Sequence, residues 1–174
     1  MIKRYLVIFL CLQAPFLFIQ NEGLYEKSFT GIVEKVLDGD TVIVNGEKIR
    51  LYGIDAPEKD QKSFGGEPIG EWSRDYLKKL ILNKKVKISY KERGVYGRII
   101  GIIYENGSIN EKMLQGGMAI YYDYSKNRIY QSLSYTARLQ KRGIFNTGGF
   151  YRPSYYRYKA KKKATKKVAL KSIK

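Results

Sequence analysis

A hairpin that decides the fold is encoded by the stretch Thr41-Val-Ile-Val-Asn-Gly-Glu-Lys-Ile-Arg-Leu-Tyr-Gly-Ile-Asp55. Asn45-Gly46 stands between two runs rich in β-branched residues, and this dipeptide is a strong signal of a tight turn between antiparallel strands. A two-residue turn at this point pairs Val42 with Ile49 across the two strands. The predicted hairpin is therefore the centre from which the rest of the domain is interpreted.

The apolar pattern on either side of the hairpin predicts three strands, a helix, two strands and two further helices. In chain order these are Ile32–Val36, Thr41–Val44, Lys48–Tyr52, Ile69–Leu80, Lys85–Tyr90, Arg98–Tyr104, Asn110–Gln115 and Arg128–Lys141. Trp72, on the apolar stripe of the first helix, is expected in the core. An open sheet of five short strands would leave its edges exposed. We therefore expect an α+β fold, mainly β, in which a five-stranded Greek-key barrel of the OB type carries three α-helices.

Composition limits the chemistry that this chain can perform. Its 174 residues include 33 lysines and arginines against 16 aspartates and glutamates, and a net charge of +17 favours a polyanionic partner. Histidine is absent, which excludes histidine-dependent nucleophilic triads and most zinc sites. Cys11 is the single cysteine and cannot form an intramolecular disulfide. Carboxylates, arginines, lysines, tyrosines and a hard metal ion remain as the available chemistry.

The first segment, residues 1–22, has the pattern of an export signal or an N-terminal anchor. Two basic residues precede an uncharged apolar run that Pro15 interrupts. That run is too short for a stable transmembrane span, and the alternative is a buried N-terminal helix of the domain. We expect a secreted or cell-envelope-associated protein.

The last segment, residues 150–174, has a different composition from the domain. From Tyr151 to Lys174 it contains ten basic residues, four tyrosines and no acidic residue. This composition favours disorder in the free protein. The interleaved tyrosines and basic residues could stack on unpaired bases, or the segment could be a solvated tail without a specific role.

Two acidic clusters frame the hairpin, and strand alternation relates them. Pairing Asp40 with Leu51 places Asp40 and Asp55 on the same face of the ladder. On a straight strand, however, Asp55 would lie too far along to share a site with Asp40. Arg50 is on the opposite face of the strand from Asp55, so its guanidinium needs a kink or bulge in the chain to reach the same site. Gly53 is the position where such a kink forms most easily.

These residue types suit the cleavage of a phosphodiester. Two carboxylates with carbonyl or water oxygens suit Ca²⁺, and a further carboxylate can orient or deprotonate the attacking water without histidine. Planar guanidinium groups stabilise the equatorial oxygens of a phosphate under attack better than ammonium groups do, which makes Arg50 and Arg98 candidates. Each short motif taken alone is more typical of a solvated surface turn, so the interpretation depends on their combination.

The order and spacing of five motifs resemble the staphylococcal nuclease (thermonuclease) family over about residues 28–147. The motifs are Val36–Thr41, Arg50–Glu58, Tyr96–Arg98, Ile109–Ala119 and Ala137–Phe145. The resemblance implies an SNase-like OB-fold domain with the activity of a Ca²⁺-dependent phosphodiesterase. It also implies that DNA and RNA are both substrates and that the products carry a 3′-phosphate.

The resemblance also implies the residues that would hold the metal. Asp40 and Asp55 match the carboxylate ligands of Ca²⁺, and Ala56 matches a residue that contributes its backbone carbonyl. Asp38 matches a position beside these ligands that does not contact the ion.

The remaining matched positions concern the substrate. Glu58 would orient or activate the water, Arg50 would bridge the phosphate, and Arg98 would stabilise the transition state and the leaving oxygen. Tyr96 and Tyr122 match positions where the family lines its nucleotide pocket with tyrosine.

Two main functions are therefore weighed. The first is a secreted, monomeric Ca²⁺ nuclease with a preference for single-stranded DNA and RNA and no protein partner. The alternative is a non-catalytic nucleic-acid-binding OB module. Such a module would be expected to have lost at least one of five residues that are all present here, namely Asp40, Arg50, Asp55, Glu58 and Arg98. A basic protein attached to an anionic envelope polymer would need no acidic cluster and explains less of the sequence.

Overall fold

A computed structural model of the chain describes residues 27–94 and 97–171. Its strands are β1 (Lys27–Asp38), β2 (Thr41–Val44), β3 (Glu47–Leu51), β4 (Ile54–Asp55), β5 (Lys85–Arg93), β6 (Ile99–Tyr104) and β7 (Ile120–Tyr121). Its α-helices are α1 (Ile69–Ile81), α2 (Ile109–Gln115), α3 (Arg128–Leu139) and α4 (Pro153–Lys171), and two 3₁₀ turns lie at Asp123–Ser125 and Gly143–Asn146. The predicted export segment, residues 1–22, and the predicted substrate residue Tyr96 lie outside the described residues.

Five strands close into a barrel in the order β1-β2-β3-β6-β5. The pairing of β3 with β6 is parallel, and the other pairings around the barrel are antiparallel. This arrangement confirms the predicted barrel of the OB type and the α+β class. The described part of the chain has four α-helices rather than the three that were expected.

The central hairpin has the register that its turn predicts. Val42 pairs with Ile49, and Val44 pairs with Glu47 on either side of the two-residue turn. Both turn residues adopt left-handed backbone conformations, with φ of 49° at Asn45 and 75° at Gly46. An asparagine followed by a glycine is the pair that accepts these angles at the lowest cost.

The barrel interior is filled by aliphatic side chains that alternate along the strands. Buried members of this core include Val33, Val42, Val44, Ile49, Ile88, Ile99 and Ile103. Leu77 of α1 is fully buried against the same core, as the helical periodicity predicts, and Ile81, just beyond the predicted helix, is fully buried there too. The expectation for Trp72 was wrong, because 39% of this residue is exposed.

A short second sheet lies outside the barrel and was not predicted. β4 pairs with β7 through Ile54 and Tyr121 and through Asp55 and Ile120. Strands of two residues give no periodic signal, so only tertiary contacts reveal them. This pairing fixes the backbone of Asp55 just after the kink at Gly53.

The C-terminal segment, for which composition favoured disorder, forms α4 from Pro153 to Lys171. Its alanines, lysines and leucine are good helix formers, and its first turns contact the domain. The composition of the segment predicted neither the helix nor its contacts with the domain. A high net charge does not reveal the few hydrogen bonds and ion pairs that hold a helix in place. Within the described residues, no helix has both the length and the apolar run needed to cross a bilayer.

Candidate active site

The hairpin and its kink bring two carboxylates to one guanidinium. Arg50 donates from Nη1 to Oδ1 of Asp40 and from Nη2 to Oδ1 of Asp55, the latter at 3.0 Å. Nη2 also lies 3.5 Å from the carbonyl oxygen of Ile54. One planar fork therefore joins two acidic residues that are 15 positions apart in the sequence.

The kink that permits this arrangement is at Gly53, where φ is +74°. A side chain at this position would press on the ring of Tyr130, so both the backbone angle and the packing require glycine. The strand before the kink is held by two backbone bonds, from Leu51 N to the oxygen of Asp40 and from Tyr52 N to that of Gly101, each 2.8 Å long. The strand register and the kink together set the position of Asp55.

Buried Asn110 adds a side-chain link beside the kink. Its Nδ2 donates to the carbonyl oxygen of Tyr52 at 2.8 Å, and its Oδ1 accepts from the amide of Ile103 at 3.1 Å. The side chain thus connects α2 with β6 and with the residue that precedes Gly53. Because a buried amide group must be satisfied, this link fixes the kink more firmly than apolar packing would.

Asp40 is enclosed by donors on both carboxylate oxygens. Thr41 Oγ1 and the amide of Ala56 donate to it, each at 2.9 Å, and its own amide donates to Asp38 at 3.1 Å. Burial raises the pKa of Asp40 to about 7, with a smaller rise from the neighbouring Asp38 carboxyl, while the Arg50 guanidinium opposes the rise. Asp38 therefore accepts the bond that shapes the turn before Asp40 and raises the pKa of Asp40.

Asp55 and Glu58 share a second guanidinium, which belongs to α4. Arg157 donates from Nη2 to Oδ1 of Asp55 at 2.8 Å and from Nη1 to Oε1 of Glu58 at 2.7 Å. The amide of Ser154, in the first turn of the same helix, donates to Oδ2 of Asp55 at 3.2 Å. Burial lowers the pKa of Arg157, but the hydrogen bonds and charges of the two carboxylates outweigh it and raise that pKa above its usual range.

The backbone around Glu58 is fixed by the loop that leads into α1. Gln61, fully buried, accepts from the amide of Glu58 at 3.3 Å and donates its own amide to the Glu58 carbonyl at 2.8 Å. Gly70 packs directly against that carbonyl, and a Cβ at this position would overlap its oxygen. The Glu58 side chain extends from this fixed backbone to the half-buried rim of the site.

Arg98 immediately precedes β6 and is partly buried. In the parallel register Ile100 pairs with Arg50, and Arg98 has the strand parity of Ile100. Continued alternation through Arg98 would place its side chain on the side of the sheet to which Arg50 belongs. Its role at the leaving oxygen stays a prediction.

Tyr122, the second predicted substrate residue, lies beside the kink. Its amide donates to the carbonyl oxygen of Gly53 at 3.0 Å, and its partly exposed ring lies 5.3 Å from that of Tyr124. The structure thus places Tyr122 next to the strand end that carries Asp55.

Sequence reasoning missed Arg157 and Ser154. They belong to a segment interpreted as a tail, and Arg157 is 102 positions from its partner Asp55. The sequence around Arg157, which contains tyrosines and lysines, does not show which residues the arginine contacts. An arginine within an otherwise lysine-rich helix was the one available hint, since a planar fork suits paired carboxylates.

The chemistry of the donor set fits a hard divalent ion. The carboxylates of Asp40 and Asp55, held together by Arg50, and the carbonyl of Ala56 next to Asp55 are all oxygen donors of the type that Ca²⁺ prefers. Within residues 27–94 and 97–171, no group of three or more histidines, cysteines, aspartates or glutamates is arranged to hold a metal. Any ion bound here would therefore depend on two carboxylates and on backbone or water oxygens.

Comparison with known proteins shows which chains this one is similar to. The family model described as staphylococcal nuclease homologue matches residues 48–147. An uncharacterized endonuclease of Escherichia coli is 37% identical over 136 residues, which cover 74% of this chain and 85% of that protein. A micrococcal nuclease of Shigella flexneri is 34% identical over 154 residues, with coverage of 79% and 84%. A thermonuclease of Staphylococcus intermedius is 29% identical over 131 residues, with coverage of 68% and 78%.

Proposed function

Because the chain belongs to the staphylococcal nuclease family and is a nuclease, we propose that it is a Ca²⁺-dependent enzyme that hydrolyses both DNA and RNA to 3′-phosphate products. The observation that supports this proposal most is the Arg50 fork between Asp40 and Asp55. It gathers two buried carboxylates and a bidentate phosphate-binding group at the same point. A protein that only bound nucleic acid would gain nothing from burying two carboxylates there, because they repel phosphate.

The carboxylates of Asp40 and Asp55 and the carbonyl of Ala56 would hold Ca²⁺. When bound, the ion supplies positive charge that stabilises a phosphate oxygen as the reaction proceeds. Thr41 Oγ1 and the Ala56 amide orient the Asp40 carboxylate for this role. Side chains that are fixed in advance need no reorganisation when the substrate arrives.

Glu58 would orient the attacking water and accept its proton. This carboxylate lies at the rim, 32% exposed, where water can reach it, and its backbone is fixed by Gln61 and by Gly70. Proton acceptance by a positioned carboxylate replaces the histidine that this chain lacks.

Arg50 and Arg98 would bind the phosphate. Arg50 would turn part of its fork from the carboxylates to the phosphate oxygens, and Arg98 would stabilise the charge on the leaving oxygen. Tyr122 would line the nucleotide pocket beside the kink, and Tyr96 is proposed for the same pocket on its sequence position alone. A preference for single strands follows if bases must leave a stack to reach these rings.

We also propose that the protein is secreted or associated with the cell envelope, because residues 1–22 have the pattern of an export signal or an N-terminal anchor. A monomeric state is proposed as well. Fractionation of cells that produce the full chain would test the location, and light scattering would test the monomer.

Cleavage of single-stranded DNA and of RNA by the purified chain, with Ca²⁺ and with a Ca²⁺ chelator, tests the catalytic proposal. We expect both substrates to be cut with Ca²⁺, to 3′-phosphate ends, and neither to be cut in chelator. Undiminished cleavage in chelator would refute the metal assignment. Tight binding without any cleavage in the presence of Ca²⁺ would favour the non-catalytic binding module.

A further inference from the structure

A row of four aromatic rings runs from the loop before α1 onto α4. Phe64 and Tyr151 have ring centroids 4.9 Å apart, Tyr151 and Tyr155 are 5.2 Å apart, and Tyr155 and Tyr158 are 6.2 Å apart. We call these four residues the aromatic row. It is a continuous chain of ring contacts that joins the N-terminal half of α4 to the domain.

The aromatic row is exposed rather than part of the core. Its members are between 40% and 61% exposed, although aromatic rings of this size are mostly buried in folded proteins. Tyr155 and Tyr158, three residues apart on α4, share one side of the helix, and Tyr151 lies two residues before the helix begins. The exposed parts of the four rings are available to a flat partner.

The base of the aromatic row is fixed to the domain by hydrogen bonds. Gln61 donates from Nε2 to the carbonyl oxygen of Tyr151 at 2.7 Å, and the amide of Phe64 donates to the carbonyl of Gly149 at 2.7 Å. These bonds connect the loop that carries Glu58 with the chain that enters α4. The aromatic row is therefore held in a defined position relative to the candidate site.

The surface around the aromatic row is strongly basic. Lys159 Nζ lies 4.3 Å from the ring centroid of Tyr151 and 5.9 Å from that of Tyr155. Within Pro153–Lys171 the sequence has seven lysines, one arginine and no acidic residue. Rings flanked by cations are the combination that binds single-stranded nucleic acid, because bases stack on the rings while the cations contact phosphates.

The aromatic row also lies next to the carboxylate site. Ser154 and Arg157, in the same turns of α4 as Tyr155 and Tyr158, contact Asp55 and Glu58. A strand that binds the row would therefore lie on the same helix that contacts those carboxylates.

We propose that the aromatic row binds unpaired bases of single-stranded DNA or RNA and that the α4 lysines hold the adjacent phosphates. The row is a binding site separate from the tyrosines already assigned to the nucleotide pocket. Its use to present substrate rests on the proposed nuclease function, whereas the binding itself needs neither Ca²⁺ nor cleavage.

Binding by the full chain in a Ca²⁺ chelator tests the proposal independently of catalysis. The probe is a labelled oligothymidylate of about 12 nucleotides, and its fluorescence anisotropy gives the dissociation constant. The double variant Tyr155→Leu/Tyr158→Leu should bind about tenfold more weakly at every salt concentration, because stacking is lost while the phosphate contacts remain. The matched control Tyr135→Leu removes an equally exposed tyrosine from α3 and should bind like the wild type.

A second probe separates stacking from charge. An abasic strand of the same length keeps the phosphates but offers no bases, so it should bind the wild type and the double variant equally weakly. Lys162→Gln should reduce the salt dependence of binding by about one phosphate contact and keep the preference for bases.

Two results would overturn the proposal. One is equal oligothymidylate affinity for the wild type and the double variant when circular dichroism shows that both are folded. The other is an abasic strand that binds the wild type as tightly as oligothymidylate, which would make α4 a general surface for polyanions. Neither result bears on cleavage with Ca²⁺, so failure of this proposal is distinguishable from failure of the nuclease proposal.

Discussion

Asp40, in the turn between β1 and β2, and Asp55, in β4, are no more than 2% exposed, whereas the Arg157 side chain that contacts Asp55 from α4 is 38% exposed. The barrel side of the candidate site is built by a hairpin, a kink and the buried amide of Asn110. The helix side depends on contacts between a few side chains and a helix end. We infer that the barrel side is rigid and determines the chemistry, and that the helix side is the part that can detach. Segments that are buried and held by several hydrogen bonds open less readily than segments that are exposed and held by few.

The largest expected effect is on the barrel side, from Arg50→Lys. A point charge cannot reproduce the fork that reaches both Asp40 and Asp55, so kcat should fall about a hundredfold or more while the fold is retained. Steady-state cleavage of single-stranded DNA with Ca²⁺ measures this change.

Arg74→Lys is the matched control, because Arg74 has the same side-chain exposure of 17% but pairs with Asp75 on the surface of α1. It should leave kcat within about twofold of the wild type. Similar losses in both variants would mean that the fork has no special role.

A large effect is also expected from Gly70→Ala, which tests how Glu58 is positioned. A Cβ at this position would overlap the Glu58 carbonyl oxygen. Because that oxygen belongs to the backbone and cannot rotate away, the loop must move. We expect activity to fall about tenfold and the free energy of unfolding to fall by about 2 kcal/mol. Cleavage kinetics and thermal unfolding measure the two changes.

Gly148→Ala is the control for that variant, since a Cβ there meets its nearest atom only at 3.8 Å. It should leave both quantities close to those of the wild type. If Gly70→Ala lowers stability but leaves cleavage intact, the loop does not position Glu58 for the reaction.

The fold could be read from the sequence wherever the signal is local. The pairing of Val42 with Ile49 follows from the turn between them, and the need for a kink at Gly53 follows from strand alternation. Both features depend on residues within about 15 positions of each other, where pattern and turn chemistry are decisive.

Contacts between distant segments could not be predicted in the same way. The β4–β7 pair joins Ile54 to Tyr121, and the Arg157 contacts span about a hundred positions. Neither leaves a periodic pattern in the sequence. For α4 the composition predicted disorder, because a run of like charges indicates disorder unless specific contacts hold the segment.

The smallest expected effect concerns the helix side alone. Arg157→Ala removes both ion pairs that hold α4 to Asp55 and Glu58. Hydrogen exchange of the amides in the first half of α4 should become faster, while the amides of β2 and β3 keep their protection. Lys161→Ala is the control, because Lys161 is exposed on the same helix, and it should leave exchange unchanged. Faster exchange throughout the barrel would show that the two sides are one cooperative unit.

The central claim is that Asp40 and Asp55 form a Ca²⁺ site next to the β2–β3 hairpin, and equilibrium dialysis of the full chain against radioactive Ca²⁺ tests it most directly. We predict that the wild type binds one ion, that Asp55→Asn abolishes this binding, and that Asp75→Asn, which changes an exposed carboxylate on α1, leaves it intact. Binding that survives in Asp55→Asn as in the wild type, or a wild type that binds no Ca²⁺ even with a single-stranded oligonucleotide present, would contradict the account.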